Sequence, residues 1–392
     1  MDSSIRRIRR PVKREGAERY LMLTLVSFAA SVILTRLYLD LTGYPQLGNG
    51  ELHIAHVLWG GLLLFASSLL PLLIANRWAY TAGALSAGVG VGLFIDEVGK
   101  FITQNNDYFF PAAAPIIYAL FLLTLLLYFW VRRPRPRDAR AELYHALDAL
   151  EEVLDHDLDA QERHNLDARL RRVIREAGHP DISRLADALR GFLASDALYL
   201  APASAGFWER WSGRVRAYIT RRITRRRLRV AVAVGLGVSG LGFLVDLAAL
   251  IVMLTAPPGD VEVYWVMRGP GADTRSVPLE SFDSSTLVAL STGLALSGLV
   301  GLLLLVAAVL LITGRERRGV LVGYFGLLLS LSAITLLDFY FSQFEAVVGA
   351  AVQFGLLMGV ILYRRRYVAS ESDSDLPVPA SMSSEASGEP HR

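Results

Sequence analysis

The sequence has no cysteine among its 392 residues, which excludes disulfide bonds, cysteine nucleophiles and thiolate metal sites. It contains neither the His-Glu-x-x-His motif of zinc proteases nor the Gly-x-Ser-x-Gly motif of serine hydrolases. A phosphate-binding loop of the Gly-x-x-x-x-Gly-Lys-Ser/Thr type is also lacking. Any chemistry of this chain must therefore use other side chains.

Hydrophobic residues are abundant, at 53% of the chain, and the mean hydropathy is +0.38. They are concentrated in blocks of about twenty residues, the length that an α-helix needs to cross about 30 Å of hydrocarbon. The sequence therefore predicts an all-α fold, a polytopic transmembrane helical bundle with eight spans. The predicted spans are residues 20–40, 54–75, 80–103, 111–131, 229–255, 286–313, 319–338 and 343–363.

Positive charge marks alternate ends of these spans. The formal net charge is only +3, and the arginines cluster at span ends, so the charge indicates a topology signal and not nucleic-acid binding. The arginine-rich loops alternate with loops poor in basic residues at 41–53, 104–110, 256–285 and 339–342. We therefore expect the lipid bilayer as the main partner and a multi-pass protein of the cytoplasmic (inner) membrane. Both termini should be cytoplasmic.

The same pattern predicts five segments and an internal repeat. Asp107-Tyr108-Phe109-Phe110 and Asp338-Phe339-Tyr340-Phe341 each precede an apolar span that ends in arginines. This correspondence predicts two four-helix repeats of parallel orientation. The segments are a basic cytoplasmic N-terminus at 1–19, a first membrane half at 20–132, a cytoplasmic helical insert at 133–228, a second membrane half at 229–366 and a disordered cytoplasmic tail at 367–392.

The insert is predicted to be a small helical bundle. Leu143, Leu147, Leu150 and Leu154 recur at three- to four-residue intervals, which indicates one apolar helix face. The stretch at 208–229 mixes aromatic residues with many arginines, a pattern typical of a helix lying on an anionic leaflet. The insert is interpreted as a link between the two membrane halves, and a regulatory or partner-binding module is the alternative.

The chemically informative residues lie in the predicted second and third spans. His53 and His56 are three residues apart, so their rings share one face of a helix. Asp96 and Glu97 follow in the next span. At 1.5 Å per residue, Asp96 lies about 24 Å from the inner end of its span, at the depth of His56. We predict His53 and His56 as metal ligands, for zinc, iron or manganese, and Asp96 and Glu97 as catalytic acid–base groups.

Further polar residues are predicted at the same outer level. Arg36 lies near the end of the first span, and Lys100 and Asp107 follow the acidic pair. The two cations would repel a metal ion and suit an anionic substrate, so the three residues are predicted to bind substrate. The interpretations left open are a metal-dependent or acid–base enzyme site for a lipid-borne or small substrate, an ion- or proton-coupled pathway, a membrane sensor or scaffold, and a structural salt-bridge network.

The pattern His-x-x-His-x-x-Trp-Gly, from His53 to Gly60, is followed in the next span by the pair Asp96 and Glu97. This combination resembles a group of bacterial and archaeal polytopic membrane proteins to which no activity is assigned. The resemblance covers mainly the second and third spans, with a weaker match at 341–344. It implies that these positions matter and does not imply a particular reaction.

Overall fold

The computed structural model describes residues 11–43, 55–108, 110–133, 138–195, 198–201, 224–255, 262–264, 276–278, 284–342 and 346–368. The chain divides into two compact units, Met1–Gly213 and Arg214–Arg392. Among the described residues, eight helices are long and apolar enough to cross a membrane, which confirms the predicted helical fold at this level. Two predicted features, the surface helix up to residue 223 and the disordered tail from residue 369, lie outside the described residues.

Unit 1 contains four of the eight long apolar helices. The N-terminal helix ends at Gly43, whose φ of 69° is the left-handed conformation that glycine adopts without strain. The next two long helices form a hairpin through the turn at Ile74–Asn76. The elements are α1 (Ala17–Thr42), α2 (His56–Leu73), α3 (Arg77–Asp96), a short α4 (Val98–Ile102) and α5 (Ala113–Arg132).

Helix α3 packs against both α1 and α2, because glycines let the backbones approach closely. A Cβ atom on Gly60 of α2 would lie 2.9 Å from the carbonyl oxygen of Gly90, and one on Gly90 would lie 2.9 Å from that of Gly60. On the other side of α3, a Cβ on Gly92 would lie 2.7 Å from the Cβ of Ser31 in α1. These contacts fix α3 between its two neighbours.

The insert forms four helices with a core of their own. They are α6 (Ala139–Ala149), α7 (Glu151–Leu154), α8 (Ala160–Glu176) and α9 (Pro180–Leu193). Asp159 caps α8 and exchanges hydrogen bonds with Glu162 in a capping box. The predicted leucine stripe is partly wrong. Leu143 is buried, but Leu147 is 41% exposed, so within α6 it does not lie on the buried face that Leu143 and Ala146 share. Leu154 is 79% exposed, because α6 ends at Ala149 and the short α7 does not continue its face.

Polar contacts attach the insert to one end of the unit 1 helices. Arg77, the first residue of α3, pairs with Asp148 at 3.8 Å and with Glu152. The Asn76 side-chain amide donates to the carboxylate of Asp155 at 3.1 Å. Arg169 of α8 donates hydrogen bonds to both carboxylate oxygens of Glu15, which lies just before α1. The N-terminal segment and the turn before α3 therefore share one end of unit 1 with the insert.

The Glu15–Arg169 pair is expected to make stability depend on pH. Burial raises the pKa of the Glu15 carboxyl, but the hydrogen bonds and charge of Arg169 outweigh it and hold this pKa below its ordinary value of 4.5. The pair therefore stabilises the fold above about pH 5, and this contribution is lost as the pH falls through the lowered pKa. Since both side chains are about one-third exposed, we expect about 1 kcal/mol or less.

Thermal unfolding of the wild type and of Glu15→Gln from pH 7 to pH 3 tests this expectation. The variant should unfold a few degrees lower at pH 7 and converge with the wild type at acidic pH. Glu176→Gln, at an exposed position in α8, the helix that carries Arg169, is the matched control and should unfold like the wild type. A difference that stays constant down to pH 3 would contradict the assignment to Glu15.

Unit 2 contains the other four long apolar helices and a short antiparallel pair of strands. Its elements are α10 (Arg225–Thr255), β1 (Glu262–Tyr264), β2 (Ser276–Pro278), α11 (Ser284–Ile312), α12 (Glu316–Leu329), a π-helical turn (Ser330–Ile334), α13 (Thr335–Ser342), α14 (Ala346–Tyr363) and a final π-helical turn (Arg364–Val368). In the antiparallel pair of β1 and β2, Val263 lies opposite Val277. The strand pair is a small addition to the predicted all-α fold.

The helices of unit 2 pair differently from those of unit 1. Helix α11, the second long helix, packs on both α10 and α12, whereas in unit 1 the third long helix has this position. The two similar sequence segments also differ locally. Asp107 and Tyr108 lie in the loop before α5, while Asp338 lies inside helix α13. The internal repeat therefore stays a prediction from the sequence.

The first π-helical turn of unit 2, Ser330–Ile334, carries a buried polar contact. The Oε1 atom of Gln353 in α14 accepts hydrogen bonds from Ser330 Oγ at 2.6 Å and from Thr335 Oγ1 at 3.3 Å. Ser330 and Thr335 are at opposite ends of the turn and are buried. A π-helical turn widens a helix by one residue, which here lets two hydroxyl groups reach the same amide.

Candidate functional site

The candidate site is centred on Asp96, the last residue of α3, which is fully buried. Arg36 of α1, itself only 7% exposed, donates from Nε to Asp96 Oδ1 at 2.6 Å. A second donor of the same guanidinium, Nη2, reaches the Asp96 backbone carbonyl at 3.0 Å. Charge-assisted contacts of this length are strong, so α1 and α3 are joined here by a buried ion pair.

His56, the first residue of α2, lies between the two acidic side chains. Its Nε2 is 3.1 Å from Asp96 Oδ2, and its Nδ1 is 3.0 Å from Glu97 Oε1. The side chain is 22% exposed, so the ring is partly reachable from outside the helices. Each ring nitrogen thus has its own carboxylate partner.

A break in the helix lets both acids face one ring. Successive residues of a regular α-helix point about 100° apart, so an unbroken helix would direct Asp96 and Glu97 to different faces. Here α3 ends at Asp96, Glu97 adopts φ −93° and ψ 11°, and the short α4 starts at Val98. Lys100 of α4 then reaches back to Glu97 Oε1 at 3.3 Å.

Tyr108 completes the site, although from the sequence it was named only within the segment Asp107-Tyr108-Phe109-Phe110 of the predicted repeat. Its hydroxyl donates to Asp96 Oδ2 at 2.7 Å, and its ring lies 4.0 Å from the guanidinium carbon of Arg36. The structure therefore adds Tyr108 to the residues around Asp96. Its position beside Asp107, already predicted as a substrate-binding residue, is the sequence signal that could have indicated it.

The structure brings together five of the seven predicted site residues: Arg36, His56, Asp96, Glu97 and Lys100. His53 lies outside the described residues. Asp107 is in the adjoining loop, where its backbone N–H donates to Thr103 Oγ1 at 2.7 Å and its carbonyl packs against Gly99. The roles assigned to these residues stay predictions.

The arrangement of the acids and the imidazole bears on the predicted metal site. Within the described part of the chain, no group of three or more His, Asp or Glu side chains is placed to hold a metal ion. The two nitrogens of His56 face different carboxylates on opposite sides of the ring, instead of converging with them on one point. The predicted pairing of His56 with His53 as metal ligands has no support from the geometry around His56.

Family models, curated proteins and solved structures gave no match to this chain. The resemblance based on the pattern from His53 to Gly60 therefore stays a prediction, and the function must be argued from the site itself.

Chemically, the site links two carboxyl groups, two basic side chains and one imidazole through a chain of short polar contacts. Asp96 is saturated by Arg36, His56 and Tyr108. Glu97 keeps one unused acceptor, because its Oε2 atom is buried and has no hydrogen-bond partner among the described residues. His56 and Glu97 are therefore the groups best placed to exchange a proton.

Proposed function

We propose that this chain is a multi-pass protein of the cytoplasmic membrane, with its insert and both termini on the cytoplasmic side. The eight long apolar helices and the alternation of arginine-rich loops support this setting. The contacts of the insert in unit 1 agree with it, because the insert meets Arg77 at one end of α3 while Asp96 is at the other, about 28 Å away along the helix. The candidate site would then open toward the outer face.

Single introduced cysteines can test this orientation directly, since the natural sequence has none to remove. Asn105→Cys, in the exposed loop after α4, should react with a membrane-impermeant maleimide applied to intact cells. Gly178→Cys, in the insert, should react only after the membrane is permeabilised. Both positions are exposed, so access of the maleimide depends only on the side of the membrane. In intact cells, Asn105→Cys should therefore be labelled at least about tenfold more than Gly178→Cys. Equal labelling of both positions in intact cells would overturn the proposed orientation.

We further propose that His56, Asp96 and Glu97 form an acid–base site. The observation that carries this proposal is the count of protons in the two His56 contacts. A neutral imidazole has one N–H, yet both ring nitrogens are within 3.1 Å of a carboxylate. Two hydrogen bonds are possible only if the ring carries a second proton or one carboxyl is protonated. With both hydrogen bonds formed, the site therefore holds one proton more than a neutral ring and two ionised carboxylates carry.

The surroundings support His56 and Glu97 as the pair that would transfer this proton. Arg36 and Tyr108 hold Asp96 in place from the buried side, so its role is to orient the ring. Glu97 has an unpartnered buried oxygen, and Lys100 beside it is 26% exposed. A lipid-borne or small anionic substrate at the outer level would meet Lys100 and His56 first, with His56 as general acid or base.

A structural network is the second candidate, and one observation favours it. Asp96 and Arg36 are almost completely buried and bonded to each other, as in an ion pair that only joins two helices. In that case, the proton on the His56 site would be fixed and would not exchange. The two candidates therefore predict different behaviour of the same proton.

Nitrogen NMR of histidine-labelled protein in nanodiscs, combined with infrared spectra of the carboxyl groups, tests the acid–base site. At pH 7 we expect one extra proton, seen either as a doubly protonated His56 ring or as one protonated carboxyl. His56→Asn assigns the ring signals. Glu97→Gln should abolish the extra proton, because the glutamine amide can donate to Nδ1 of a neutral ring.

Asp40→Asn removes an exposed acid from the end of α1 and serves as the charge-matched control, which should leave the extra proton in place. A neutral His56 ring with two ionised acids at pH 7 would overturn the proposal. An extra proton that does not exchange with solvent over hours would favour the structural network.

A further inference from the structure

A strongly basic cavity lies at one end of unit 2. It has a volume of about 680 Å³, within the range of sites that hold small molecules or headgroups. It is formed by the start of α10 and by the turn between α11 and α12. This basic cavity is lined by Arg225, Arg229, Gly314, Arg315, Glu316, Arg317 and Arg318.

The lining charges do not balance, since five arginines face a single glutamate. Glu316 is already shared, because Arg225 donates to its Oε2 at 2.8 Å and Arg229 to its Oε1 at 3.0 Å. This double contact holds the start of α10 beside the start of α12. Arg315 and Arg318 are exposed and make no ion pair with any described residue. Among the residues that the structure describes, Arg315 and Arg318 therefore leave positive charge in the cavity lining that no acidic side chain neutralises.

The turn geometry presents this charge at the helix ends. Gly314 adopts φ 84°, the left-handed conformation that ends α11 and reverses the chain within a few residues. Arg315 follows immediately, and α12 begins at Glu316. In the proposed membrane setting, this turn is on the cytoplasmic side, at the level of lipid headgroups. Guanidinium groups bind phosphate oxygens through paired N–H donors, and basic pockets between helix ends on this side bind anionic headgroups.

We propose that the basic cavity binds the phosphate of an anionic phospholipid headgroup from the cytoplasmic leaflet, with Arg315 and Arg318 as its principal contacts. The proposal depends on the membrane setting and is independent of the acid–base site in unit 1. Its principal contacts, Arg315 and Arg318, lie outside the arginine-rich stretch at 208–229, although Arg225 and Arg229 of the cavity lining belong to that stretch.

Calorimetric titration of the full chain in neutral detergent tests the proposal. The probes are dioctanoyl phosphatidylglycerol, dioctanoyl phosphatidylcholine and inorganic phosphate. We expect saturable binding of phosphatidylglycerol at least about tenfold tighter than that of the other two. The double variant Arg315→Gln, Arg318→Gln should weaken this binding about thirtyfold, given about one kcal/mol for each arginine near an anionic lipid.

The matched control is Arg364→Gln, Arg365→Gln, which removes the same charge from exposed positions outside the cavity lining. It should change the affinity less than about threefold. Equal losses in both double variants would overturn a defined site in favour of general electrostatic attraction. Inorganic phosphate binding as tightly as the lipid, or phosphatidylcholine binding as tightly as phosphatidylglycerol, would overturn an anionic lipid as the ligand. Unchanged melting temperatures of the lipid-free variants will show that both remain folded.

Discussion

Asp96→Asn is expected to lower the free energy of unfolding of unit 1 by about 3–5 kcal/mol, the usual cost of removing one partner from a buried ion pair. The guanidinium of Arg36, only 7% exposed, would lose its counter-charge without regaining water. His56 and Tyr108 would also lose a charged acceptor. The effect should be measured by reversible denaturation in mixed micelles, followed through the fluorescence of the tryptophans.

Two further variants give the expected order of effects. Tyr108→Phe removes one hydrogen bond to Asp96 and keeps the ring beside Arg36, so it should cost about 1 kcal/mol. Asp40→Asn changes an exposed acid at the end of the same helix as Arg36 and should stay within about 0.5 kcal/mol. An Asp96→Asn variant as stable as Asp40→Asn would show that the Arg36–Asp96 contact is not a buried pair.

Gly60→Ala and Gly61→Ala are expected to have opposite effects although the residues are neighbours in α2. A methyl group on Gly60 would lie 2.7 Å from the backbone nitrogen of Phe94, and backbone atoms cannot move aside as a side chain can. We therefore expect a loss of about 1–3 kcal/mol. A methyl group on Gly61 meets nothing within 4 Å, so the better helix propensity of alanine should stabilise by up to about 1 kcal/mol.

The same denaturation experiment compares the two glycine variants. The separation of α2 and α3 that Gly60→Ala forces should also weaken the His56 contacts, since His56 is one helical turn away. The His56 ring signals should therefore change in Gly60→Ala and stay unchanged in Gly61→Ala. Equal stabilities of the two variants would contradict the close packing of α2 on α3.

Much of the helical architecture could be predicted from the sequence, because twenty-residue apolar blocks have few alternatives to a long helix. The predicted third span at 80–103 is the instructive exception. Its hydropathy continues past the acidic pair, but the helix breaks at Glu97 and resumes as the short α4. Hydropathy is averaged over many residues, so it cannot indicate a break of the helix at a single residue. The π-helical turn at Ser330–Ile334 could not be predicted from hydropathy for the same reason.

The grouping of Arg36, His56 and Asp96 could be predicted from the sequence, because the rise per residue of a helix gives each residue a calculable depth. The further residues that contact them could not be predicted in this way. Tyr108 reaches Asp96 from a loop, and no helical period connects the two residues. In the insert, the leucine spacing indicated a longer helix than exists. The burial of Leu143 and the exposure of Leu154 depend on where α6 ends, which the spacing alone does not determine.

The Gly60–Gly90 contact also limits how anything can reach His56. The two backbones touch there, one turn from the imidazole, with no side chain between them whose rotation could open a gap. Water or a substrate therefore cannot reach the ring by passing between the two backbones at this level. A continuous passage through unit 1 along the seam between α2 and α3 is sterically closed at Gly60 and Gly90.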